Sequence, residues 1–188
     1  MVKKRKPIVL VDMDGVIADF EGGFIANWKK QHPDKAFVPQ EDRTTFYSYK
    51  QYPIKHRPLV WKIMMADNFF IDLPPIEGGI KAIKKMARLG YDVYFCSSPL
   101  ISNRTGASEK YQWINKHFGA KWVSKLILAP DKTLVSGDYL IDDRPEVKGL
   151  RTPDWEHILY DQPYNREDQT RRRITWANWQ KQFPKIKS

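Results

Sequence analysis

The sequence predicts an α/β protein, a parallel sheet core interrupted directly after its first strand by a helical insertion. Three observations carry this. Short apolar, β-branched runs recur and stop at polar or acidic residues, helical patterns separate them, and the stretch from Ala18 to Leu73 has helical patterning but no strand.

Taken in order, Ile8-Val9-Leu10-Val11 is a buried strand that ends at Asp12 and turns at Gly15. Phe20, Phe24 and Trp28 then share one helical face, and Leu59, Val60, Ile63 and Met64 share another. The Pro74-Pro75 pair marks a return hinge, so residues 1–17 and 74–188 are expected to form the core and residues 18–73 a helical cap. After Gly78-Gly79, the spacing of Ile80, Ile83, Met86 and Ala87 predicts a helix; Tyr111, Trp113, Ile114 and Phe118 predict another after Ser108 and Glu109. Further strands are expected at Tyr91–Cys96, Leu126–Ala129, Tyr139–Ile141 and His157–Tyr160.

At 188 residues the chain can bury a sizeable core, and 41% hydrophobic with 29% charged residues is the balance of a globular protein, not of a disordered or membrane chain. Cys96 is the only cysteine, which excludes an intramolecular disulfide and a cysteine-rich zinc site and favours a reducing, cytoplasmic setting. The basic start, Met1 to Pro7, runs straight into the first strand, so no signal peptide is expected, and no apolar stretch approaches the roughly 20 residues of a membrane span. The net charge of +10 favours phosphate-bearing ligands. Apart from Arg171-Arg172-Arg173 the cations are dispersed without a nucleic-acid-binding motif, so no obligatory nucleic-acid partner is expected.

The chemistry concentrates at strand ends. In Asp12-Met13-Asp14-Gly15 the two carboxylates, two residues apart on extended chain, project to one side at the edge where open α/β sheets bind ligands. Gly15 permits the sharp turn and brings backbone N–H groups near an anion. Asp142-Asp143 ends a second apolar run, and adjacent like charges there call for a cation such as Mg²⁺, whose preferred ligands are hard oxygens. Either string alone also reads as a polar turn. Ser97-Ser98-Pro99 and Lys132 could hold an anion at neighbouring strand ends.

Asp-x-Asp-Gly, Ser, Lys and Asp-Asp in that order resemble the four motifs of haloacid-dehalogenase-like phosphatases. The strings VDMDGVIADFEGGF, EDRTTFYSY, DNFF, CSSP, EKYQWINKHFG, DKTLVSGDYLIDDRP, PDWEHILYDQPYN and RRRITWANW are similar to those of the 5'(3')-deoxyribonucleotidase family, from about Ile8 to Trp179. The resemblance implies a Rossmann-like core with a small helical cap and hydrolysis of (deoxy)nucleoside monophosphates through an aspartyl-phosphate. It implies Asp12 as nucleophile, Asp14 as general acid and base, and Ser97 and Lys132 as phosphate ligands, with Ser98 and Lys110 as further contacts. Asp12, the Asp14 backbone carbonyl and the pair Asp142 and Asp143, chiefly Asp143, would hold Mg²⁺. Phe20, Phe46, Tyr47 and Ser48 would build the nucleoside pocket. Gln51 to Ala66 departs from the family pattern, with Met64 near a family tryptophan, which leaves base preference open. The expected partner is a nucleoside monophosphate, and a homodimer is left open. Two alternatives stand beside this reading: another phosphomonoester as substrate, such as a sugar phosphate or a nucleic-acid 3'-phosphate, and a non-catalytic basic protein that binds nucleic acid.

Overall fold

The computed structural model describes residues 5–183. The expected strands form at Ile8–Val11 (β1), Asp92–Ser97 (β2), Leu126–Leu128 (β3), Tyr139–Asp142 (β4) and Glu156–Tyr160 (β5). Arg173–Ile174 adds a short β6 that periodicity did not reveal, since two residues carry no alternation to read. All pairings are parallel, in the order β3-β2-β1-β4-β5-β6. The chain builds outward from β1 through β2 to β3, then returns to lay β4 on the other side of β1. The crevice at the ends of β1 and β4 is therefore the switch point at which such sheets bind ligands. The expected reading of the basic start falls partly on Met1 to Lys4, outside the described residues.

Between β1 and the following core helix lie α1 (Phe20–Gln31), α2 (Arg57–Met64) and, between them, single helical turns at Gln40–Asp42, Ser48–Gln51 and Ile54–His56. Asp19 caps α1 by accepting from the Gly22 N–H at 2.9 Å, and Lys29 and Lys30 complement the dipole in its last turn. Phe24 and Trp28 from α1 and Val60 and Ile63 from α2 are buried in the same apolar cluster as Val9, Val11 and Phe95 of the sheet. The two crossings between sheet and insertion are tied together: Asp19 N–H donates to Pro74 O at 2.7 Å and Ile76 N–H to Ile17 O at 2.8 Å. Indoles fasten both sides, Trp176 Nε1 donating to Val16 O at 2.6 Å and Trp113 Nε1 to Leu73 O at 2.8 Å.

The core helices are α3 (Gly79–Arg88), α4 (Gly106–Phe118), α5 (Ala120–Val123) and α6 (Trp179–Gln182). Their inner faces correct two expectations. In α3 it is Ala82, not Ala87, that is buried with Ile83 and Met86. In α4 Tyr111 stands 52% exposed while Trp113, Ile114 and Phe118 are buried, because residues 106, 109, 110, 113, 114 and 118 define the inward stripe and Tyr111 lies off it. The helix also starts earlier than Ser108-Glu109 suggests, since Asn103 Oδ1 accepts from the N–H groups of Thr105 (2.9 Å) and Gly106 (2.7 Å).

Candidate active site

β1 and β4 deliver the acidic groups to one place. Ligand oxygens of Asp12, Asp142 and Asp143 all lie within 4.8 Å of one another, and all three residues are buried. Gly15, at φ +73°, closes the loop beneath them, where any Cβ would collide with the Asp143 carboxylate. Lys132 Nζ sits between Asp12, at 2.9 Å from its Oδ1, and Asp142, to which it donates. Arg144 N–H holds the other Asp142 oxygen at 2.9 Å. The Asp143 carboxylate accepts from the Tyr164 hydroxyl through Oδ2, while its buried Oδ1 has no hydrogen-bond partner among the described residues.

Three carboxylates against one ammonium leave excess negative charge in a buried place. Burial raises the pKa of Asp12, against the pull of Lys132, and raises that of Asp143 well above the carboxylate range, with Asp142 and Asp12 adding to it. For Lys132 burial works against the charged form, but Asp12 and Asp142 outweigh it and hold its pKa above normal. All-oxygen donors, an orphaned carboxylate oxygen and surplus negative charge fit a hard divalent cation.

Asp14 is turned the other way. Its Oδ2 accepts from Lys110 Nζ at 2.6 Å, and Lys110, almost wholly buried on α4, also lies 4.8 Å from the Phe70 ring centroid. Burial raises the Asp14 pKa, with Lys110 opposing.

A cavity of about 380 Å³ opens above these groups, reached by Asp12, Asp14, Lys132, Asp142 and Asp143. Phe20, Phe46, Tyr47 and Ser48 all line it. Ser98 lines it too, although its hydroxyl donates to Ala129 O at 2.9 Å. Ser97 and Lys110 lie behind the wall: Ser97 Oγ is buried at the end of β2 without a partner among the described residues, and Lys110 is engaged by Asp14.

Sequence reasoning passed over several lining residues. Tyr49, Trp61 and Phe70 complete an aromatic wall, Tyr164 lies buried against Asp143 in the floor, and Arg144 donates to the Tyr47 hydroxyl at 3.0 Å. Tyr164 and Arg144 sit inside the motif strings, Arg144 directly after Asp143. Arg43 and Glu21 form a buried ion pair that sets the wall: Arg43 donates to Thr45 O and Phe46 O, each at 2.7 Å, and Glu21 accepts from Ser48 Oγ at 3.2 Å. No spacing marks a pair so far apart in sequence. The run Arg171 to Arg173 is consumed locally, pairing with Asp168, Glu156 and Asp161.

Comparison with known proteins agrees with this architecture. A family model described as "5' nucleotidase, deoxy (Pyrimidine), cytosolic type C protein" matches residues 6–186. The human cytosolic-type 5'(3')-deoxyribonucleotidase is 42% identical over 185 residues, covering 93% of this chain and 92% of the relative. The human mitochondrial 5'(3')-deoxyribonucleotidase is 43% identical over 179 residues, covering 90% and 78%. Among solved structures, a haloacid dehalogenase-like family hydrolase from Streptococcus pneumoniae superposes with a TM-score of 0.62 at 9% identity, covering 95% of this chain and 99% of the other, a likeness of fold. The chain thus belongs to the 5'(3')-deoxyribonucleotidase family, phosphoric monoester hydrolases on the haloacid-dehalogenase-like α/β fold.

Proposed function

We propose that the protein hydrolyses the phosphate of deoxynucleoside monophosphates, with Asp12 as nucleophile, Asp14 as general acid and base, and residues 18–73 acting as the cap that selects the nucleoside. The observation that carries this reading is the division of one cavity into a charged floor, Asp12, Asp14, Lys132 and Asp143, and an aromatic wall, Phe20, Phe46, Tyr47 and Phe70. Such a site suits a molecule with a phosphate at one end and a flat ring at the other.

A phosphate dianion repels an ionised carboxylate, so charge must be balanced before Asp12 approaches phosphorus. Lys132, beside Asp12, contributes one positive charge. Mg²⁺, held by Asp12, Asp143 and the Asp14 backbone carbonyl with Asp142 behind them, would neutralise the phosphoryl oxygens when bound. An Asp12 oxygen forms the new bond to phosphorus as the ester oxygen departs, and Asp14 gives that oxygen its proton. Lys110 occupies Asp14 Oδ2, which leaves Oδ1 to carry the proton. Asp14 then takes a proton from the water that attacks the aspartyl-phosphate, releasing inorganic phosphate and restoring Asp12. Burial favours neutral Asp14 and Lys110 favours its anion, as a group that alternates between the two forms requires.

The buried thiol of Cys96, its pKa pushed up to about 12 by burial, is compatible with work in a reducing compartment such as the cytoplasm. Among the described residues no helix is long and apolar enough to cross a membrane.

A steady-state panel of dUMP, dTMP, dGMP, ribonucleotides and sugar phosphates, assayed with Mg²⁺, tests the reading. Deoxynucleotides should exceed sugar phosphates in kcat/KM by at least about tenfold, the scale of one well-made pocket contact. The Asp12→Asn protein should be inactive yet folded by circular dichroism. Equal rates across the panel, or turnover by Asp12→Asn, would refute the substrate and nucleophile assignments respectively.

A further inference from the structure

Glu109 is 3% exposed and has no ion-pair partner among the described residues. A carboxylate buried without a cation is costly unless both oxygens are fully hydrogen-bonded. Here they are. Oε1 accepts from the Asn68 N–H at 2.8 Å and from the Thr105 hydroxyl, and Oε2 accepts from the Phe70 N–H at 2.8 Å. The clamped turn is strained, since Asn68 lies at φ +67°. A second tie runs alongside, Asn103 Nδ2 donating to Met64 O at 3.0 Å. The segment returning from α2 to the sheet is therefore pinned to the N-terminal turn of α4.

What the pinned turn carries is Phe70. Its ring lines the cavity, meets Phe69 at 5.1 Å and Phe20 at 6.5 Å between centroids, and packs beside Gly106, where a Cβ would stand 3.3 Å from it. The next residue along α4, Lys110, reaches Asp14. Adjacent side chains of one helix thus serve neighbouring parts of the cavity, Lys110 the Asp14 carboxylate and Glu109 the segment that carries Phe70.

We propose that Glu109 is a positioning residue for substrate selection: by holding the Asn68 and Phe70 N–H groups it sets the Phe70 ring at the height at which a nucleoside is gripped, without taking part in phosphoryl transfer. This rests on the nucleotidase reading above.

The test is Glu109→Gln, which keeps the volume but replaces one acceptor oxygen with an NH₂ that faces a backbone donor. KM for dUMP should rise about tenfold, while kcat/KM for glycerol 2-phosphate, which has no ring to meet the aromatic wall, should change less than about twofold. Phe70→Ala should likewise raise KM for dUMP, and the double variant should be no worse on dUMP than the poorer single one, since residues acting through one contact are non-additive. Thr105→Val, which removes only the hydroxyl donor, provides a milder version should Glu109→Gln fail to fold, with a smaller shift in the same direction. Equal loss on both substrates, additive effects in the double variant, or an unchanged KM for dUMP in a folded Glu109→Gln protein would overturn the proposal. A wild-type enzyme that ignores dUMP but cleaves glycerol 2-phosphate would instead take down the nucleotidase reading, and this inference with it.

Discussion

At the residue scale, the buried ionisable groups sort by what surrounds them. His157 on β5 is held neutral, its pKa lowered to about 4 by burial and by the nearby Arg171 and Lys132 charges. The unfolded chain takes up a proton near pH 6.5 and the folded one does not until about pH 4, so His157 stabilises the fold above 6.5 and this contribution is lost on acidification between those values. The raised carboxylates Asp12, Asp14 and Asp143 act in the opposite sense, because the folded protein binds their protons more tightly. The difference between wild type and His157→Gln in denaturant titrations therefore isolates the effect: the wild type should lose more stability between pH 6.5 and 4.5 than the variant. Asp12, Asp14, Asp142 and Asp143 were legible in the sequence because acidic residues that end apolar runs are conspicuous. Glu21, Arg43, Glu109 and Tyr164 were not, since nothing in a one-dimensional pattern marks a charge that will be buried among backbone donors or beneath a ring.

At the element scale, the strands β1 to β5 and helices α1 to α4 could be read from apolar runs and faces. β6 could not: its two residues pair with Leu159 and Tyr160 only because the chain after β5 folds back along the sheet edge. The side chains of Trp176 and Trp113 were equally hidden, since an indole that donates to a distant carbonyl looks in sequence like any core aromatic. Trp176→Phe removes the donor to Val16 O and leaves that buried carbonyl without its partner. It should lower unfolding free energy by about 1–3 kcal/mol, read as a shift in urea midpoint at constant slope. A change below about 0.5 kcal/mol would show that the two crossings are held by their backbone pairs alone.

At the scale of the whole molecule, two properties follow from where charge and apolar surface lie. Mutual repulsion among Asp12, Asp142 and Asp143 opposes folding at neutral pH, and an ion bound to the folded state alone stabilises it by mass action. Thermal midpoints at pH 7.5 should rise with added Mg²⁺ and fall with a chelator, and a midpoint indifferent to both would argue against an ion at these residues. Among the described residues the run Arg171 to Arg173 is spent on neighbouring carboxylates, so the net charge of +10 rests on cations dispersed elsewhere along the chain. The apolar cluster that runs unbroken from the sheet into α1 and α2 bears on how the protein comes apart. A lid with its own separate interior could melt alone and leave the remainder standing. Here Phe24, Trp28 and Ile63 share their interior with Val11 and Phe95, so heating in a calorimeter should produce one endotherm, with van't Hoff and calorimetric enthalpies equal.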